Sequence, residues 1–449
     1  MMCAMKCVRC AFFFLVGGLF LALPLRAQDA SKIDAAFQKF WAAKSPAEAE
    51  RTVDNIVKSG ITFDEALRRL KAGRTYTIQK TGIIMLRGRG KNGSPDDHFY
   101  ALNVPANYDP SRRYQVRFQL HGGVGGRATN QPRGNGESPL PGAEQIYVVP
   151  YSWVDSPWWS DDQVGNLSNI LDALKRSYNV DENRVVVSGV SDGGTGAYYI
   201  GMRDTTPYAS FLPLNGFIMV LANGEIDDGR IFPNNLRNKP MFVVNGGNDP
   251  LYPTFDVEPF VKHLMSAVDI AYYPQPDAGH NTSWWPTVRD TFEQFVADHP
   301  RDPHPDKLTW ETAGLEHNRA HWLVIDKINS KGTGAALQPD LNFIENSDIP
   351  PGTDGHFVRL FERQIPSARV DLVRHGNTIE AATKNIDSFT VLLSPDKFDL
   401  DQPVKVVANG RPVFEGRVGR NLKTLMTWAA RDNDRTMLYG AELPIKLSQ

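Results

Sequence analysis

The sequence predicts an α/β protein in which a mostly parallel sheet, covered by helices, is followed by a β-rich region. Three observations carry this. Between Tyr76 and Arg301, short β-branched runs alternate with helical stretches, the order that builds strand–helix–strand units. Val185-Val186-Val187 is apolar without alternation, as a strand buried on both faces requires. Beyond Pro300, Pro303 and Pro305 the helical period stops and two-residue alternation begins.

Taken in order, the chain opens on a segment that is not expected to belong to the fold. Lys6 and Arg9 precede an apolar run from Ala11 to Leu25, and Leu25-Arg26-Ala27 offers a small residue before Gln28. This is the layout of an export leader over residues 1–27, with an uncleaved membrane anchor as the alternative. The run is short for a bilayer span, which takes about 20 apolar residues. Residues 28–75 read as helical: Phe37, Phe40 and Trp41 recur at helical spacing, as do Val53, Ile56 and Val57. Ser45-Pro46 has the N-cap and first-turn residues of a helix start.

Residues 76–304 carry the strand candidates 114–120, 145–149, 184–188, 241–245 and 270–274. A helix is expected over 161–178, where Val164, Leu167, Leu171 and Leu174 share one face. Residues 305–449 read as a small β-rich domain, with alternation at 368–373, 389–393 and 404–408. Asn409-Gly410 between two such runs is a two-residue hairpin turn.

Composition excludes several classes of function. A net charge of -2 with no block of like charge gives no footprint for nucleic acid or an anionic membrane. Cys3, Cys7 and Cys10 are the only cysteines and all lie in the leader. The chain after it therefore has no disulfide, thiol nucleophile or thiolate metal ligand. His317 and His321 are four apart, but no glutamate completes a metal motif and the residues after them read as a strand. No metal or other cofactor is expected.

Four segments carry chemistry. Gly189-Val190-Ser191-Asp192-Gly193-Gly194 follows the buried strand 184–188 and precedes a helix-forming stretch. That setting suits a strained turn presenting a nucleophilic Ser191, with glycines where backbone must pass closely. His121-Gly122-Gly123-Val124-Gly125-Gly126 ends the strand 114–120. Its main-chain N–H groups can face a developing oxyanion: one donor is expected from Gly122, Gly123 or Val124, and the other from Asp192. Asp249 leaves the strand 241–245 and His280 follows the strand 270–274, so both fall where open α/β sheets build their sites. His280 would act as base and Asp249 would fix its tautomer. Asp227, Asp228, Asp256 and Asp277 are the rival acids, and His263 a rival histidine in a helical stretch. His121 is expected to shape its loop. Trp158, Trp159, Trp284 and Trp285 are candidates for substrate contact, or for packing at the core rim. The Gly/Pro/Asn-rich stretch 125–142 is long enough to cover a site.

These motifs resemble the α/β-hydrolase superfamily. The elbow around Ser191 and Gly247-Asn248-Asp249-Pro250-Leu251-Tyr252-Pro253 are similar to catalytic domains of the prolyl oligopeptidase family. They are equally similar to dienelactone-hydrolase-type and polyhydroxybutyrate-depolymerase-type esterases. The resemblance implies a serine hydrolase fold and the triad roles of Ser191, Asp249 and His280, but not a substrate, because one fold hosts many chemistries; the expected partner is a small-molecule or polymer-derived ester. Prolyl oligopeptidases typically carry a propeller ahead of the catalytic domain, whereas here the residues expected between the leader and the hydrolase region, 28–75, read as helical, which sets the esterase reading ahead of the peptidase one. A non-catalytic surface-binding protein on the same fold is the third reading.

Overall fold

The computed structural model describes residues 22–88, 98–124, 134–329, 337–363 and 365–447. Three helices lead: α1 (Ala22–Ala42), α2 (Pro46–Val57) and α3 (Phe63–Ala72). Ser45 caps α2 through its side chain, which accepts from the Glu48 N–H, with Pro46 in the first turn as the sequence predicted. α1 begins inside the stretch read as a leader, most of which lies outside the described residues. Among the described residues no helix is long and apolar enough to cross a membrane.

The central sheet has eight strands: β1 (Gly82–Gly88), β2 (His98–Val104), β3 (Tyr114–Leu120), β4 (Ile146–Pro150), β5 (Val180–Val190), β6 (Ser210–Leu214), β7 (Met241–Val243) and β8 (Ile270–Tyr272). Their spatial order is β1-β2-β4-β3-β5-β6-β7-β8. β2 runs antiparallel to both β1 and β4, and the remaining pairs are parallel. Helices α4 (Asp161–Ser177), α5 (Asp192–Arg203), α6 (Thr254–Met265) and α7 (Trp285–Asp298) connect or follow these strands. Separate apolar clusters lie on the two faces. One holds Phe118, Val187, Leu167 and Val261, and the other Val186, Leu212, Phe242 and Phe292. Val185, Val186 and Val187 are fully buried, divided between the two clusters by the strand pleat. This is the mostly parallel, helix-covered sheet that the sequence predicts.

The remaining elements are β9 (Lys307–Thr312), β10 (Arg319–Ala320), β11 (Leu323–Ile328), β12 (Phe343–Glu345), β13 (Phe357–Arg359), β14 (Ala368–His375), β15 (Thr378–Lys384), β16 (Ile386–Leu393), β17 (Val404–Ala408), β18 (Arg411–Gly416), α8 (Leu422–Asp432) and β19 (Ala441–Lys446). A five-stranded and a four-stranded sheet enclose a core containing Trp310, Trp322, Val370 and Phe389. Asn409 and Gly410 both take positive φ, 50° and 75°, and turn β17 into β18 as their dipeptide predicted. α8 is a departure from the β-rich expectation. Its Leu425 and Met426 share one cluster with Phe37, Val53 and Leu70, so the N-terminal helices pack on the C-terminal end of the chain.

Candidate active site

The site is assembled at the carboxyl ends of β3, β5, β7 and β8. β5 ends at Val190 and α5 starts at Asp192, leaving Ser191 to make the whole turn with φ 57° and ψ -119°. A non-glycine residue held there is strained, and strain of this kind collects where a side chain must be aimed. Close approach of the backbone enforces the turn. A Cβ on Gly193 would stand 2.2 Å from the Leu120 carbonyl oxygen, so only glycine fits.

His280 Nε2 lies 2.8 Å from Ser191 Oγ, and His280 Nδ1 lies 2.6 Å from Asp249 Oδ2. Asp249 is 2% exposed and a carboxylate can only accept, so Nδ1 is the donor in that bond and Nε2 is left to accept from the serine hydroxyl. The second carboxylate oxygen of Asp249 accepts the N–H groups of Leu251 (2.8 Å) and Tyr252 (3.0 Å), which fixes the plane of the carboxylate. The arrangement can move a proton from Ser191 to His280 while Asp249 stabilises the imidazolium.

Further residues complete the site, and the first of them, Asn215, carries no signal in the sequence. Asn215, with φ 46°, donates its N–H to the Val244 carbonyl and its Nδ2 to the Asn281 carbonyl, pinning the loop that carries His280. The Tyr252 ring meets the His280 imidazole edge-on at 5.6 Å and contacts Phe217 at 6.1 Å. Burial raises the Tyr252 phenol, and the Asp192 and Asp249 carboxylates add to that. Gly247, part of the motif leading to Asp249, packs so closely that a Cβ would meet the Pro276 carbonyl oxygen at 2.2 Å. The acid and histidine loops are thus in backbone contact. The doubled glycine before Asp249 was the signal in the sequence.

Other expectations are corrected. The Val124 N–H donates to Asp192 Oδ2 at 2.6 Å, so it is engaged and does not face an oxyanion. Trp158 is fully buried and donates through Nε1 to the His121 carbonyl. Trp284 and Trp285 are buried in the cluster around Phe292. Trp159 is half-buried and packs on the main core. Trp158, Trp284 and Trp285 are packing residues because their neighbours already cover them, whereas Trp159 keeps part of its surface exposed. His121 shapes its loop as expected: Nε2 accepts the Ser152 N–H, so Nδ1 donates to the Gly122 carbonyl. Residues 125–133 lie outside the described set. In the rest of that stretch Leu140 enters the core and the Pro141 carbonyl accepts from Trp285 Nε1, while most of the other residues are exposed.

The rival residues are engaged elsewhere or exposed. Asp227 accepts the N–H groups of Gly229 and Glu362, and Asp256 and Asp277 are exposed. His263 contacts the Leu341 carbonyl. His317 bonds Asp161 and His321 bonds the Pro303 carbonyl, so the pair does not converge on one point.

No family model matches the chain. It is similar to the bifunctional acetylxylan esterase/xylanase XynS20E of Neocallimastix patriciarum, 24% identical over 258 residues, covering 55% of this chain and 36% of that protein. It is also similar to a probable feruloyl esterase C of Aspergillus terreus, 24% identical over 156 residues, 33% of this chain and 57% of that one. The chain thus matches roughly a third to just over half the length of these curated relatives. Among solved structures, the apo form of Thermogutta terrifontis esterase 2 aligns with a TM-score of 0.39 and 17% identity, over 49% of this chain and 96% of that one.

Proposed function

We propose that this protein is an exported serine hydrolase that cleaves carboxylic esters through an acyl-enzyme. The observation that carries the reading is the unbroken hydrogen-bonded chain Ser191–His280–Asp249 at an elbow with positive φ. The esterase similarities support an ester as the bond cleaved. Ser191 Oγ attacks the carbonyl carbon as His280 Nε2 takes its proton. The tetrahedral oxyanion is held by the Asp192 N–H at the start of α5 and by Gly123 in the loop after β3. Collapse expels the alcohol, which takes the proton from His280. Water then repeats the sequence on the acyl-enzyme and releases the acid.

Ser191→Ala should lose hydrolysis of p-nitrophenyl esters by about 10⁴-fold or more while keeping its circular dichroism spectrum. It should also lose labelling by a fluorophosphonate probe. Full labelling of that variant would remove Ser191 from the mechanism, and a clear preference of the wild type for peptide anilides would make the enzyme a peptidase. Export rests on the leader pattern over residues 1–27. Sequencing the secreted protein should read a new N-terminus next to Ala27; an intact Met1 on a membrane-bound form would establish the anchor instead.

A further inference from the structure

We infer that Asp192 is a positioning residue whose carboxylate sets the oxyanion loop, in addition to the donor role of its main-chain N–H; this rests on the hydrolase reading above. The loop 121–124 crosses directly over the nucleophile. A Cβ on Gly122 would stand 2.8 Å from Ser191 Cβ and 3.4 Å from Ser191 Oγ, so the loop backbone touches the serine side chain. Gly123 bends the loop with φ 68°. Beyond it, the Val124 side chain is anchored in the core, 1% exposed, while its N–H turns back to Asp192 Oδ2 at 2.6 Å. One end of the loop is therefore fixed by β3, and the other by a polar tie to the residue next to the nucleophile.

The chemistry of that tie suits the task. A carboxylate accepting a main-chain N–H makes a short, charge-assisted bond. Asp192 is the first residue of α5, where the helix dipole favours a negative side chain. The same residue thus supplies two constraints: its N–H marks one edge of the oxyanion position, and its carboxylate holds the loop that forms the other edge. An oxyanion donor is effective only when aimed in advance at the charge that develops, so loosening the tie costs turnover more than binding.

The test compares Asp192→Asn with Asp192→Ala in the full-length protein. The amide oxygen of Asn can still accept from Val124; Ala cannot. Asp192→Ala should lower kcat about 10- to 100-fold on a p-nitrophenyl ester with KM within about 3-fold, below the loss seen when an oxyanion donor is removed outright. Asp192→Asn should stay within about 5-fold of wild type, since the geometry is kept. Affinity for a trifluoromethyl ketone, which binds Ser191 as an oxyanion adduct, should fall in parallel with kcat in the Ala variant. Affinity for the unreactive methyl ketone should not change. An Asn variant as inactive as Ala, or a lowered melting temperature with unchanged kcat and inhibitor affinity, would overturn the inference. If the wild type itself fails to label with fluorophosphonate, the hydrolase reading fails. If Asp192→Ala labels at the wild-type rate, only this inference does.

Discussion

Ser191 is held at φ 57° by neighbours that leave no room for an alternative. Gly193 shows how little slack the turn has, because the atom a side chain would strike is the main-chain oxygen of Leu120 in the adjacent strand. Neither backbone can rotate away without breaking the sheet or α5. Gly193→Ala should therefore destabilise the protein by about 1–3 kcal/mol, despite the better helix propensity of alanine. It should also slow fluorophosphonate labelling. Gly224, where an added Cβ would meet nothing within 4 Å, is the control, and its alanine variant should stay within about 0.5 kcal/mol of wild type. Urea unfolding of the two variants checks the difference; equal stability would mean the elbow is more compliant than its contacts imply. At this scale the sequence was most informative where side-chain chemistry and glycine coincide. Ser191, Asp249 and His280 each sit beside glycines at a strand end, and the structure brings them within hydrogen-bond distance. Asn215 was not legible, because an asparagine after one strand carries no local pattern, and Tyr252 was legible only as part of the motif around Asp249, with no hint of its contact with His280.

At the scale of elements, legibility followed the clarity of the local period. The strand around Val185-Val186-Val187, the hairpin at Asn409-Gly410 and the helix from Asp161 needed only neighbouring residues to be read, and all three form. β6 was missed because Ser210-Phe211-Leu212-Pro213-Leu214 includes a proline that ordinarily argues against a central strand. Yet it lies between β5 and β7. Pro213 has no N–H to donate, but its carbonyl accepts the Val244 N–H, so the position continues the ladder on one side. β1 and β2 were missed for another reason. Their pairing is antiparallel, and β1 is an edge strand with Ile83 and Met85 exposed, so neither the buried-run pattern nor clean alternation applies. α8 escaped notice because its buried face is completed by α2 and α3, hundreds of residues earlier. Of the two readings open for the tryptophans, packing holds for Trp158, Trp284 and Trp285, which the structure buries; chain position alone does not say which face of the sheet a side chain packs against.

On the scale of the whole molecule, the central sheet and the C-terminal region are joined by buried charge. Arg301, after α7, donates to Asp434 at 2.7 Å, and both side chains are completely buried. Arg435 pairs with Glu182 on β5. Burial raises the Asp434 carboxyl, but Arg301 and Lys175 outweigh that and hold it below the usual range. His304 lies in the same junction, 3% exposed, with its ring edge-on to Tyr439 at 5.4 Å and no protein partner for either ring nitrogen among the described residues. Burial pushes it down to about 4; Arg301 acts in the same direction, while Asp396, Asp302 and Asp434 oppose it. Burial likewise lowers His321, with Lys239 and Arg301 adding to the effect. Because the unfolded chain takes up the His304 proton first, the stability this neutral imidazole contributes is fully present above pH ~6.5 and is lost as pH falls towards ~4. The Asp434 contribution begins to be lost only as pH falls through the ordinary carboxylate value of about 4 and continues to fall below it, so measurements above that pH separate the two. His304→Asn keeps a polar group of similar length without the titration. Urea unfolding between pH 7.5 and 4.5 should show the wild type losing more stability than this variant, by up to about 3 kcal/mol at the acid end. Parallel curves for the two proteins would mean that the junction admits enough water for His304 to protonate in place, and that acid loosens the molecule elsewhere.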